Sequence, residues 1–148
     1  MSIASVFVLE DRVLPALNTM IVTLNSLEAK YMKVIKTGRT HLQDAVPMTF
    51  GQEISGWRSM LEHDYDNILK SLDGLREIAL GGTAVGTGLN APGGFAERAA
   101  EALTSLTKKE FITAPNKFHS LSSKDAYVFA HGALKALAAD IMKMANDI

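Results

Sequence analysis

Three runs of apolar residues spaced alternately three and four apart set the terms on which this chain can fold. The first is Val13, Leu17, Met20, Leu24, Leu27, Tyr31 and Val34, extended backwards by Val6. The second is Ile54, Trp57, Leu61, Tyr65, Ile68, Leu72, Leu75 and Ala79, and the third is Tyr127, Ala130, Leu134, Leu137, Ile141, Met144 and Ile148. Only a helix brings residues at that spacing onto one side. Long helices are therefore predicted over about 3–36, 49–80 and 122–148, with a short alanine-rich helix over about 95–106. The first would be roughly 50 Å long at about 1.5 Å per residue. Pro15 is predicted to kink or break it, because proline lacks the amide that the preceding turn would use. Thr49 with Gln52, and Ser122 with Asp125, have capping-box spacing at the starts of the second and third.

The fold class that follows is all-α, a long-helix bundle. Heptad spacing favours near-parallel packing, and stripes of this length exceed what three long helices and one short one can cover among themselves. A homo-oligomer is expected, with a monomeric antiparallel bundle as the alternative. The third stripe is still in phase at Ile148 with no glycine or breaker behind it, so the chain reads as cut from something longer.

Composition narrows the functions open to such a bundle. At 148 residues and 47% hydrophobic content the chain can bury a real core. A net charge of -1 and a pI near 6.4 supply no electrostatic footprint for nucleic acid or an anionic membrane surface. No run approaches the roughly 18 apolar residues of a spanning helix. The apolar start is not preceded by a basic residue and ends at Glu10, Asp11 and Arg12, which argues against a signal peptide. Zero cysteines remove disulfides, Cys-ligated zinc and thiolate-held iron–sulfur clusters, and fit a reducing cytoplasm.

The chemistry is expected in the connections, Thr37 to Met48, Gly81 to Gly94 and Thr107 to Leu121, which outrun the usual helix–helix link of about 2 to 8 residues. In "KTGRTHLQDAVPMTFGQE", Lys36 to Glu53, a Thr, a His, a Gln and an Asp stand within five residues of one another. A His titrating near neutrality can move a proton either way, and a Thr hydroxyl can donate to a carboxylate, a pairing suited to a small carboxylic acid. From the residues alone Thr40 to Asp44 are equally readable as organisers of the loop. The loop "GGTAVGTGLNAPGG" lacks the lysine of a P-loop and the Rossmann glycine spacing, and reads as a tight crossing between helices. His63, in "EHDYD", reads as solvated, and His119 and His131 as ordinary surface or core residues. The run Lys30, Lys33, Lys36 and Arg39 reads as a solvated helix face.

Three separated segments carry a family resemblance. "GRTHLQDAVPMTFGQEISGW" resembles the signature of the fumarase and aspartase superfamily, and "GGTAVGTGLN" followed by "TAPNKF" resembles class II fumarases in particular, as does "IMKMANDI". The resemblance covers almost the whole chain, and the histidine after Thr40 separates it from aspartases, which read Thr-Gln there. It implies the central helical domain of such an enzyme, over residues 1–148, without the N-terminal and C-terminal domains. The implied reaction is reversible hydration of fumarate to (S)-malate with no metal or organic cofactor. Thr40 would bind a substrate carboxylate, and His41, held by a carboxylate from elsewhere, would be the catalytic proton carrier. The family's serine loop of the "SSxMPxKxN" kind is missing, and "SLSSKD" reads as a helix cap instead. The resemblance therefore implies that this chain alone is incomplete, and that its parent is a cytoplasmic homotetramer whose active sites draw on several subunits. An aspartate ammonia-lyase relative and a non-catalytic oligomerisation module stand as alternatives.

Overall fold

The computed structural model describes residues 1–148. A first rod runs from Ser2 to Tyr31 as α1 (Ser2–Val8), a π-helical stretch over Leu9–Val13, and α2 (Leu14–Tyr31). The rod does not stop at Pro15. Pro15 lies in the first turn of α2, and the wider π turn just before it takes up the ring and the missing donor where an α turn would clash. The rod ends at Tyr31 rather than near residue 36, because the backbone turns at Met32 and enters a strand at Ile35.

That strand corrects one expectation. Thr37 to Met48 is not an irregular loop but most of a β-hairpin, β1 (Ile35–Thr40) paired antiparallel with β2 (Gln43–Thr49). Thr49 then closes the predicted capping box: its hydroxyl accepts from the Gln52 amide at 3.1 Å, and its own amide donates to Gln52 Oε1 at 2.9 Å. Behind it α3 (Phe50–Arg76) runs 27 residues and buries Ile54, Trp57, Leu61, Ile68, Leu72 and Leu75.

After α3 come β3 (Glu77–Ile78), the glycine-rich turns, α4 (Phe95–Thr107), β4 (Ile112–Thr113), α5 (Lys117–Ser122) and α6 (Asp125–Asp147). β4 and most of the short helix α5 fall in Thr107 to Leu121, read from sequence as a loop, whereas β3, paired parallel with β4, replaces the last residues of the helix expected to run to about 80, which ends at Arg76. The Ser122–Asp125 capping box does not form. Ser122 is taken into the last turn of α5, donating to the Phe118 carbonyl at 2.6 Å, and Ser123 accepts from the Asp125 amide at 3.2 Å instead. "SLSSKD" is thus the junction between two helices.

Ion pairs fix the direction of packing. Glu28–Arg58 and Glu10–Arg76, each at 2.7 Å, set α3 antiparallel to the first rod. Trp57 bonded to Asp147, with Gly74 against Ala126, sets α3 antiparallel to α6. The central helix α3 therefore packs on a rod to either side, and the core cluster follows its stripe. Two polar side chains enter that core, Ser71, which donates to the Ile68 carbonyl at 2.7 Å, and Asp64. The outer side of α6 keeps Val128, Phe129 and Met142 exposed. No helix is long and apolar enough to cross a membrane.

Candidate functional site

The hairpin presents Thr40 and His41 at its tip. Thr40 ends β1 opposite Gln43, and His41 and Leu42 form the two-residue turn, with φ of 50° and 59°. Two successive left-handed residues give the turn the hand that suits twisted strands, a role usually filled by Asn-Gly. Leu42 is fully exposed, and Thr40 and His41 are exposed beside it. Backbone in this region is strained for a residue with a side chain, by about 1–3 kcal/mol each, and such strain gathers where a side chain must be aimed.

The base of the hairpin is held firmly. Lys36 pairs with Glu53 of α3 at 2.5 Å and lies over the Phe50 ring, which meets Tyr31 at a tilt and Trp57 edge to face, at centroid distances of 5.2 and 6.4 Å. Gly38 is buried at a bulge in the ladder, where a Cβ would stand 2.7 Å from the Val46 carbonyl oxygen. Any larger residue forces the two strands apart there. Arg39 pairs with Asp44 across the strands at 3.1 Å. Asp44 is therefore engaged by Arg39 rather than by His41. Lys36 and Arg39 are likewise in ion pairs, so the basic run is not a simple solvated face.

The glycine-rich segment lies at the other end of α3. Its turns are closed by Gly82 to Ala79, Gly86 to Gly82 and Gly88 to Gly82 backbone bonds, and Gly86, at φ 108°, passes so close to Phe118 that a Cβ would meet its ring at 2.9 Å. The expected tight crossing is found, and it is α5 that the segment crosses. Lys117 donates to the Thr113 hydroxyl and to the Ala114 carbonyl, pinning α5 to β4. At about 1.5 Å per residue, α3 holds the hairpin and the glycine turns on the order of 40 Å apart. One copy of the chain does not bring them together.

Beside the glycine turns, a cleft of about 430 Å³ is lined in part by Glu77, His119, Ser123, Lys124, Asp125 and Tyr127. His119 Nε2 and Asp125 Oδ2 are 2.9 Å apart, and this bond, with Ser123, holds the Asp125 carboxyl below its usual range. The pair is not evident from a His119 read as an ordinary surface or core residue. The signal is Asn116 after Pro115, which caps α5 by accepting the His119 amide at 3.0 Å and so places His119 in a helix directly ahead of α6. His63 and His131 are exposed on the helices, and no group of three His, Asp or Glu side chains is arranged to hold a metal ion.

The model of a family described as lyase matches residues 1–148. The chain belongs to this lyase family. Within it, the chain is 57% identical over 148 residues to a class II fumarate hydratase of Oceanobacillus iheyensis, covering 100% of this chain and 32% of that one. Identity is 53% to the class II fumarate hydratase of Helicobacter pylori and 51% to that of Bacillus subtilis, again over 32% of their lengths. The chain thus spans about a third of these relatives. Among solved structures, a class II fumarase from Schistosoma mansoni superposes with a TM-score of 0.95 at 40% identity, over 99% of this chain and 34% of that one. A fumarate lyase:delta crystallin from Brucella melitensis in native form gives 0.84 at 31%, over 99% and 31%. The resemblance of the sequence segments to class II fumarases is borne out across residues 1–148, as is the helical-bundle fold class.

Proposed function

We propose that this lyase chain is the central helical part of a class II fumarate hydratase, adding water reversibly to fumarate to give (S)-malate. Thr40 donates a hydrogen bond to a substrate carboxylate. His41 removes a proton from water as the water oxygen bonds to one alkene carbon, and a second group outside the hairpin delivers a proton to the other carbon, so the proton count balances. In reverse, His41 returns a proton to the departing hydroxyl. No metal or organic cofactor enters these steps.

The observation that carries this reading is the exposed, strained two-residue turn that aims Thr40 and His41 away from their own bundle. A side chain presented in this way serves a site completed by other segments or other copies. The distance between the hairpin and the glycine turns supports a site shared between subunits, and the exposed Val128, Phe129 and Met142 on α6 support association through that helix, as in a homotetramer. Cytoplasmic location belongs to the same proposal.

The test is His41→Asn in the full-length protein, assayed in both directions. Loss of about 10²- to 10⁴-fold in kcat is expected for removal of a general base. Hydration at the wild-type rate would overturn the assignment. Release of ammonia from aspartate in place of malate dehydration would instead make the parent an ammonia-lyase.

A further inference from the structure

Asp64 is the one ionisable side chain in the core, 2% exposed midway along α3 between Leu61 and Ile68. Its Oδ2 has no hydrogen-bond partner, which a buried carboxylate can sustain only at considerable cost. The antiparallel register fixed by Trp57 on Asp147 and Gly74 against Ala126 puts Asp140 of α6 opposite Asp64, and its carboxyl acts on that of Asp64. Two ionised carboxylates have no proton to share, so a bond between them forms only while one of them is protonated.

The surroundings offer no cation to do the work instead. The only charged residues of α2, packed on the other side of α3, are Glu28 and Lys30 at its far end, and Glu28 is bonded to Arg58. On α3, Glu62 is engaged by the same Arg58, Asp66 and Lys70 are exposed, and His63, also exposed, is the nearest positive influence on Asp64. On α6, Lys143 is paired with Asp147 and Lys135 is exposed.

We propose that Asp64 and Asp140 form a proton-sharing latch between α3 and α6, closed while one carboxyl keeps its proton and loosened when both ionise. Burial first, then the Asp140 charge and the hydrogen bond to it, push the Asp64 carboxyl from 3.8 up to about 6, with His63 pulling weakly the other way. A group that binds its proton more tightly folded than unfolded stabilises fully below the ordinary carboxylate range, and that stabilisation is lost as pH rises through about 6. The latch is thus closed in mild acid and open near neutrality, and it sets how firmly α6 grips the helix that joins the hairpin to the glycine turns. It is independent of the proposed hydration chemistry, since neither residue belongs to that site.

The experiment compares wild type with Asp64→Asn and Asp140→Asn in the full-length protein, by thermal unfolding and by hydrogen exchange of α6 amides corrected for intrinsic rate, from about pH 4 to about pH 8. A shift from 3.8 to about 6 corresponds to about a 100-fold change in the wild-type unfolding equilibrium across that range. Both variants place an amide donor in the pair, so each is expected to lose that share of the pH dependence and to keep α6 protected at the alkaline end. Asp140 is only half-buried, so its variant preserves the test if Asp64→Asn fails to fold. Identical pH profiles for wild type and the variant or variants that fold would overturn the latch.

Discussion

The Trp57 indole Nε1 donates to the Asp147 carboxylate at 3.1 Å, tying the first turns of α3 to the last turn of α6 across 90 residues of sequence. Lys143 first, then this indole, hold Asp147 below the usual carboxylate range. A carboxyl held low contributes stability that is present above its unfolded pKa and lost as pH falls through the folded one. Trp57→Phe keeps most of the buried area and removes the donor. It is expected to lower the melting temperature by a few degrees at neutral pH and by less in acid, where Asp147 is already protonated. An equal drop at both pH values would show that packing alone is at stake.

At the opposite end of α3, Glu10 receives Arg76 at 2.7 Å and Lys109 at 2.9 Å, with Lys109 also bonded to Asp11. Burial works against the Glu10 carboxylate, but the two cations outweigh it and hold its pKa below 4.5. The Nε of Arg76 is already buried without a partner, so it depends on this junction to balance its charge. Glu10→Gln is expected to cost about 1–2 kcal/mol by denaturant unfolding at neutral pH. The cost should shrink as pH falls through the lowered pKa, because the wild-type carboxyl then loses the same charge.

How much of this was readable in advance depended on whether one residue type carried the signal. The stripe and capping box of α3 agree with each other, and Thr49 begins the helix where expected. The hairpin was hidden because its turn is His41–Leu42 rather than Asn-Gly, and Pro47 sits within β2, where proline usually argues against a strand. The ends of the first rod and of α5 were set by tertiary contacts, Ile35 against Thr49 and Gly86 against Phe118, that no local propensity records. Thr40 and His41 could be picked out as chemistry from their residue types. Their separation from the glycine turns could not, since it follows from the length of α3 between them.

The strain at the tip gives a direct test of why those residues are there. Leu42 adopts φ 59° without making contacts that would justify it, being fully exposed. Leu42→Gly is expected to stabilise the hairpin locally by up to about 1 kcal/mol, since glycine enters this region at no steric cost. Gly38→Ala should act in the opposite sense, because its Cβ would press on the Val46 carbonyl oxygen at 2.7 Å and displace the tip. In the full-length protein that displacement is expected to cost about 10- to 100-fold in kcat/KM with little change in Tm, a pattern that separates aiming from stability. A proportional fall in both would assign Gly38 to folding alone.

The last expectation concerns residues 1–148 by themselves. Thr40 and His41 stand at one end of α3 and the glycine turns at the other, on the order of 40 Å away. No carboxylate of the chain orients the His41 ring, since Asp44, the neighbour in sequence, is bonded to Arg39. Proximity and orientation supply a large part of any enzyme's rate, and a lone imidazole at an exposed turn has neither. The purified 148-residue chain is therefore expected to form malate from fumarate no faster than an equal concentration of free imidazole, followed by the loss of fumarate absorbance. Turnover well above that level, abolished by His41→Asn, would mean that copies of this segment assemble a working site on their own.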